Sequence, residues 1–264
     1  MNTTISEQPT NWRQDLRPAL VLGLAGGLAT AALFPYLLDL TPQLRQKIHI
    51  AMPLAVLLQS LQAAVMLGLM AFSGLRMAHR SQLQAPWLRA WLGRRPIPKF
   101  PWALAVLAGL AAGLFALGLV QLIDPHLPPP LHPAVAGAAS SVWHSFLASF
   151  YGGIDEEIVL RLFLMTLLVW LFARVAGKAP TPTMYLIAIG LSALAFGAGH
   201  LPAAAQVWPL DAVVVGRTIL VNAAAGLVFG WLYWRRGLEV AMLAHFSADL
   251  VLHVAAPLLS GVTS

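Results

Sequence analysis

The sequence has no cysteine. That excludes a disulfide framework, a cysteine-ligated zinc site and a cysteine nucleophile, and leaves the redox compartment open. Charge is also scarce: Asp, Glu, Lys and Arg make up 10% of the 264 residues, against roughly 25% in a soluble domain. No H-E-x-x-H stretch is present to read as a zincin helix. No G-x-S-x-G stretch is present to read as a nucleophile elbow. There is no internal repeat and no linker, so the chain reads as one helical bundle.

Apolar residues fill the chain instead, at 59% with a mean hydropathy of +0.75. Crossing a hydrocarbon core of about 30 Å takes roughly 20 helical residues. Runs of that length lie at about 19–38, 51–75, 102–123, 141–172, 184–201, 212–234 and 238–258. The expected fold is therefore all-α, a polytopic transmembrane helical bundle of about seven spans.

The formal charge of +6 raises the question of a nucleic-acid partner, and the placement of the basic residues argues against one. Arg13, Arg17, Arg76, Arg80, Arg89, Arg94, Arg95, Lys99, Arg174, Lys178, Arg235 and Arg236 fall on one side of the spans. The other side holds Arg45, Lys47 and, near the boundary, Arg217. By the positive-inside rule the N-terminus is in and the C-terminus out.

Residues 1–18 read as a short polar tail and the first two spans as scaffold. The segment 81–100 reads as an interfacial helix with Trp87, Leu88, Trp91 and Leu92 on one face, or equally as a charged loop. Gly109 with Gly113, and Gly23 with Gly27, have the spacing that lets helices approach closely. In so Ala- and Gly-rich a chain, chance is the commoner reason. The proline-rich stretch 124–133 reads as an extended outer connection.

The sixteenth basic residue, Arg161, lies inside span four with Asp155, Glu156 and Glu157. Each ionisable group at a span centre costs roughly 2.5–3.5 kcal/mol, so these need partners. At about 100° per residue, Glu157 and Arg161 lie about 40° apart on a helix, and Glu156 about 140° from Arg161. Glu157 is the expected ion-pair partner, and Glu156 faces something else. Span five ends with Phe196 and His200, followed by Pro202, and span seven carries His245 and Asp249 one turn apart. Such groups are expected to converge on an internal cavity, where Glu156 facing two imidazoles has the ingredients of a general base for water. The imidazoles would serve a developing oxyanion or bind a divalent metal. The bland reading, a Glu157–Arg161 pair that only fixes packing, stands beside it. Asp155, His253, His126 and His132 read as structural or incidental.

Glu156-Glu157-x-x-x-Arg161, Phe196-x-x-x-His200 and His245-x-x-x-Asp249, in that order on successive apolar segments, resemble the three signatures of the CPBP (Abi) intramembrane protease family. That family comprises type II CAAX prenyl endopeptidases and bacteriocin-processing or immunity proteins. The resemblance covers about residues 140–255 and divides the chain into 1–139, with a tail and three spans, and 140–258, a protease-like core. It implies a hydrolase in which Glu156 activates water, His200, His245 and Asp249 complete the catalytic set, and Glu157, Arg161 and Phe196 support it. His200 and His245 either stabilise the oxyanion or hold a divalent metal such as zinc; a metal-free, Glu-activated water is the alternative. Two departures stand out: Asp249 replaces an Asn common in the prenyl endopeptidases, which favours a metal ligand or a His-orienting acid, and Leu160 stands where an aromatic often precedes the Arg. The implied partners are membrane lipid and a prenylated or hydrophobic peptide or protein substrate, with no nucleic acid, in a bacterial plasma membrane. A proton-coupled transporter and a noncatalytic immunity or scaffold protein are the competing classes.

On these span boundaries His200 sits near the outer end of span five and His245 nearer the inner end of span seven. A single site requires tilt or the Pro202 kink to bring them level.

Overall fold

In a computed structural model the protein is described over residues 11–41, 43–131 and 140–260. Seven helices among them are long and apolar enough to cross a membrane: α1 (Arg13–Leu40), α2 (Met52–Ser81), α3 (Trp102–His126), α4 (Val142–Ala176), α5 (Pro182–Ala204), α6 (Ala212–Arg236) and α7 (Leu238–Leu259). No strand occurs among the described residues. The protein is an integral, multi-pass membrane protein. Leu24, Leu57, Leu107, Leu114, Leu194 and Leu227 point outward, as a bundle in hydrocarbon requires.

Because lipid tails are as apolar as the side chains, helix association here rests on close packing rather than on the hydrophobic effect. Helix α1 packs on α2 and α4, α5 on α6, and α3 on α7. The small-residue spacing in α3 is a true contact and not a product of composition. A Cβ on Gly109 would run into the Ala244 carbonyl, and one on Gly113 would come within 2.8 Å of the Ala248 carbonyl. This approach seats α7, which carries His245 and Asp249.

The polar end of the bundle departs from expectation. The first helix starts at Arg13, inside the tail read from the sequence, and residues 1–10 lie outside the described residues. Asp15 is fully buried and accepts hydrogen bonds from Arg76 at 3.2 Å and Arg89 at 2.7 Å, with His79 Nε2 at 3.0 Å. Two of the topological arginines therefore neutralise an internal acid. The segment after α2 is a short helix, Pro86–Leu92, and two of its four apolar residues face inward rather than forming an outer face. Trp87 and Leu88 pack against the core, the Trp87 indole donates to the Pro98 carbonyl, and the Leu88 amide donates to Glu239 at the foot of α7. Only Trp91 stands out, 59% exposed. At the opposite end Asp124–His126 forms a 3-10 turn that Pro125 enters at its second position, and Asp124 is gripped by Arg217 through two bonds of 2.8 Å. His132 lies outside the described residues.

Candidate active site

Helix α4 is not uniformly α-helical. From Gly152 to Glu156, and again from Ile158 to Met165, its backbone winds as a π-helix, and α7 does the same from Leu250 to Ala255. Such segments are rare, and they concentrate at functional sites because each adds a residue to a turn and re-aims its neighbours. Within α4 the hydroxyl of Thr166 bonds the Arg161 carbonyl five residues back at 3.1 Å. The angular spacing of an α-helix therefore does not hold here. The division it suggested nonetheless appears: Glu157 meets Arg161, and Glu156 turns to other helices.

The widened turn begins at Gly152 for a steric reason. A Cβ on Gly152 would collide with the Asp249 carboxylate, and it would lie 3.1 Å from His245 Nε2. No other residue lets α4 come so close to the polar face of α7. The turn is tied to α1 by Thr30, whose hydroxyl donates to Asp155 Oδ2 at 2.7 Å. Asp155 is buried and its Oδ1 has no partner. It is a structural tether beside Glu156, reached from a span that looked like plain scaffold.

The glutamate carboxylate of Glu156 lies between two imidazoles from different spans. Its Oε1 is 3.9 Å from His200 Nε2, and its Oε2 is 3.5 Å from His245 Nε2. His200 and His245 therefore lie level with one another across Glu156. Helix α5 is interrupted at His200, between Pro182–Gly199 and a last short turn Leu201–Ala204, and the ring folds back so that Nδ1 donates to the Phe196 carbonyl at 2.9 Å. On the other side His245 Nδ1 is 2.8 Å from Glu157 Oε1, and Asp249 Oδ1 lies 3.7 Å from Nε2. Side-chain exposure is graded across the group: 35% for His200, 20% for Glu156, 13% for Asp249 and 4% for His245. Glu156 and His200 are therefore the accessible members of the group, while His245 is walled in.

The wall is aromatic. His245 stacks on Phe229 with centroids 4.4 Å apart and meets the edge geometry of Phe196 at 5.4 Å. Arg161, fully buried, lies over the same two rings at 5.1 and 5.5 Å and donates to the Gly226 carbonyl at 3.0 Å. Its NH1 is 3.1 Å from Glu157 Oε1 but off the hydrogen-bond line, which leaves NH1, Nε and Glu157 Oε2 without hydrogen-bond partners. The order of contacts is thus Arg161, Glu157, His245, Glu156, His200. The acid that pairs with Arg161 also fixes the tautomer of His245, because a carboxylate accepts only from an Nδ1 that carries its proton.

All seven residues singled out in the sequence are brought together. Phe229, Gly152, Thr30 and the Gly226 carbonyl join them. The Gly152-Gly153 pair ahead of the acids was a visible breaker signal; Phe229 and Gly226 had none, being ordinary residues of an apolar span.

His200 and His245 turn Nε2 toward the same space, with Nδ1 held by a carbonyl and a carboxylate, an arrangement that metal-binding histidines commonly have. Among the described residues, however, no group of three or more His, Cys, Asp and Glu is set to hold an ion.

A family model described as type II CAAX prenyl endopeptidase Rce1-like matches residues 138–251. No curated protein and no solved structure matches the chain. The matched segment contains every residue of the three motifs, and it agrees with the family that the motifs resemble: residues 138–251 carry the signature of an Rce1-like type II CAAX prenyl endopeptidase domain.

Proposed function

We propose that the protein is an intramembrane endopeptidase that hydrolyses a membrane-associated peptide or protein, with Glu156 activating the water. The observation that carries this reading is the Glu156 carboxylate set between the Nε2 atoms of His200 and His245, at 3.9 and 3.5 Å. A water bound there would give its proton to Glu156 as its oxygen attacks the scissile carbonyl. Glu156 would return that proton to the leaving amine, so the carboxylate is regenerated and one water is consumed. Positioned general bases contribute about 10²–10⁴-fold.

The tethered Nδ1 atoms limit what the histidines do. Each imidazole meets the substrate with Nε2, which donates to an oxyanion only in the cationic form and accepts from water in the neutral one. His245, held by Glu157 and facing Asp249, suits the oxyanion; His200, more exposed, suits the water or the leaving group. Glu157, Arg161 and Phe196 position His245. Asp249 would orient or charge-balance it, as its 3.7 Å approach to Nε2 supports. In the same reading the N-terminus faces the cytoplasm, the membrane is a bacterial plasma membrane, and the substrate is prenylated or otherwise hydrophobic.

The test is peptide-bond cleavage in liposomes by the full chain, with a prenylated and an unprenylated hydrophobic peptide, each with and without chelator. Cleavage that His200→Ala and His245→Ala both lose, in folded protein, supports the proposal. The chelator arm separates metal-assisted from metal-free water activation, and the two peptides report on prenyl recognition. Proton or solute flux lost in the same variants, with no cleavage by the parent, would replace the peptidase by a transporter.

A further inference from the structure

The end of the bundle that carries most of the basic residues has a second polar concavity, far along α6 and α7 from the Glu156 group. Helices α6 and α7 are joined by Gly237 alone, at φ +101°, and a Cβ there would press on the Pro86 ring at 2.6 Å. The chain leaving α2 turns through Gln82, itself left-handed at φ 53°, and the Leu238 amide donates to the Gln84 carbonyl at 3.0 Å. These two strained corners, tied by a hydrogen bond, form the walls of a cleft of about 280 Å³ lined by Gln82, Gln84, Trp234, Arg235 and Arg236 among others. Its size is near the lower end of small-molecule sites, roughly 300 Å³ and upward.

The chemistry of the lining is one-sided. Arg235 lies over the Trp234 indole at 5.3 Å, and that indole stacks on Tyr185 at 4.9 Å, which fixes the guanidinium above a rigid aromatic surface. Arg236 is exposed and makes no hydrogen bond or ion pair among the described residues. Gln82 and Gln84 are exposed, and their carboxamides make no hydrogen bond among the described residues. Among the described residues no acid lines the cleft; the acid nearest in sequence, Glu239, is turned inward onto the Leu88 amide. Guanidinium forks and carboxamide donors match the oxygens of a phosphate, and Arg is favoured for this over a point charge. Aromatic residues at the level of the headgroups are typical of a lipid-facing rim.

We propose that this cleft is a binding site for a phosphate ester, presented by an anionic lipid headgroup. It is independent of the peptidase reading, since none of its residues belongs to the Glu156 group. The test is a titration of the full-length protein in detergent with phosphatidylglycerol or phosphatidylcholine, read by native mass spectrometry as the lipid-bound fraction. The expected result is saturable binding of phosphatidylglycerol that weakens at least tenfold in Arg235→Gln/Arg236→Gln, little binding of phosphatidylcholine, and no change in Arg45→Gln/Lys47→Gln, which removes two charges at the opposite end. Competition by glycerol 3-phosphate would assign the site to a free phosphate ester, and its failure to the lipid; both sustain the phosphate chemistry. Equal binding of the two lipids, an unchanged affinity in the Arg235/Arg236 variant, or an equal loss in the Arg45/Lys47 variant would overturn the proposal.

Discussion

Arg161 allows the structural and the mechanistic roles of the buried ion pair to be separated. It has no solvent exposure and is held by Glu157 at 3.1 Å, the Gly226 carbonyl at 3.0 Å and two aromatic faces. The carbonyl bond to a charged donor is worth about 1.5–3 kcal/mol, and the desolvated ring contacts about 2 kcal/mol. Against these stands the several kcal/mol needed to bury each ion. The net worth of the pair is therefore small, while removal of one member leaves the other charge stranded, at about 3–5 kcal/mol. Arg161→Met should lower the melting temperature sharply and abolish cleavage. Glu157→Gln/Arg161→Met removes both charges and should recover most of the stability. Cleavage should not recover with it, because His245 Nδ1 loses the ionised acceptor 2.8 Å away that holds its ring. The assay pairs thermal unfolding in detergent with peptide cleavage at matched protein folding. A double variant that regains both stability and cleavage would refute the positioning role and leave the pair as packing alone.

Gly152→Ala places a methyl group against the Asp249 carboxylate. Overpacking of this kind costs about 1–3 kcal/mol, and a misplacement of about 1 Å at a site can cost 10²-fold in rate, so cleavage should fall far more than stability, as kcat and Tm measured together will show. Thr30→Val removes the hydroxyl bonded to Asp155 and should lower kcat with KM unchanged. Asp155→Asn, which keeps an acceptor for that hydroxyl, should retain most of the rate. Phe229→Leu removes the stacking surface of His245; the variant should fold and cleave more slowly. Surface labelling of single cysteines introduced into the cysteine-free chain should find residue 45 accessible from outside the cell and residue 94 only after permeabilisation.

Much of the architecture was legible because lipid imposes a simple rule, and uninterrupted apolar runs gave all seven helices to within a few residues at most ends. The pairing of Glu157 with Arg161 was legible for a related reason: stranded charge in a span must find its counterpart nearby. What escaped the sequence depends on geometry that no local pattern encodes. The π-helical winding at Gly152–Glu156 and Ile158–Met165 goes with contacts to other helices, α7 at Gly152 and α2 at Leu162, so a wheel at constant angle cannot show it. The burial of Asp15 depends on Arg76 and Arg89 arriving from another helix and from a short capping helix. The identity of Phe229 as the surface under His245 rests on the α6–α7 hairpin, in which any apolar residue would have looked the same. The levelling of His200 with His245 needed the break in α5 at His200, which Pro202 only hinted at.

The most direct measurement is the rate of peptide cleavage in liposomes by the wild-type chain against Glu156→Gln, an isosteric change that leaves the hydrogen-bonding shape and removes the base. A general-base role for Glu156 predicts a loss of about 10²–10⁴-fold with unfolding temperature and peptide affinity unchanged. A variant that cleaves at the wild-type rate would contradict it.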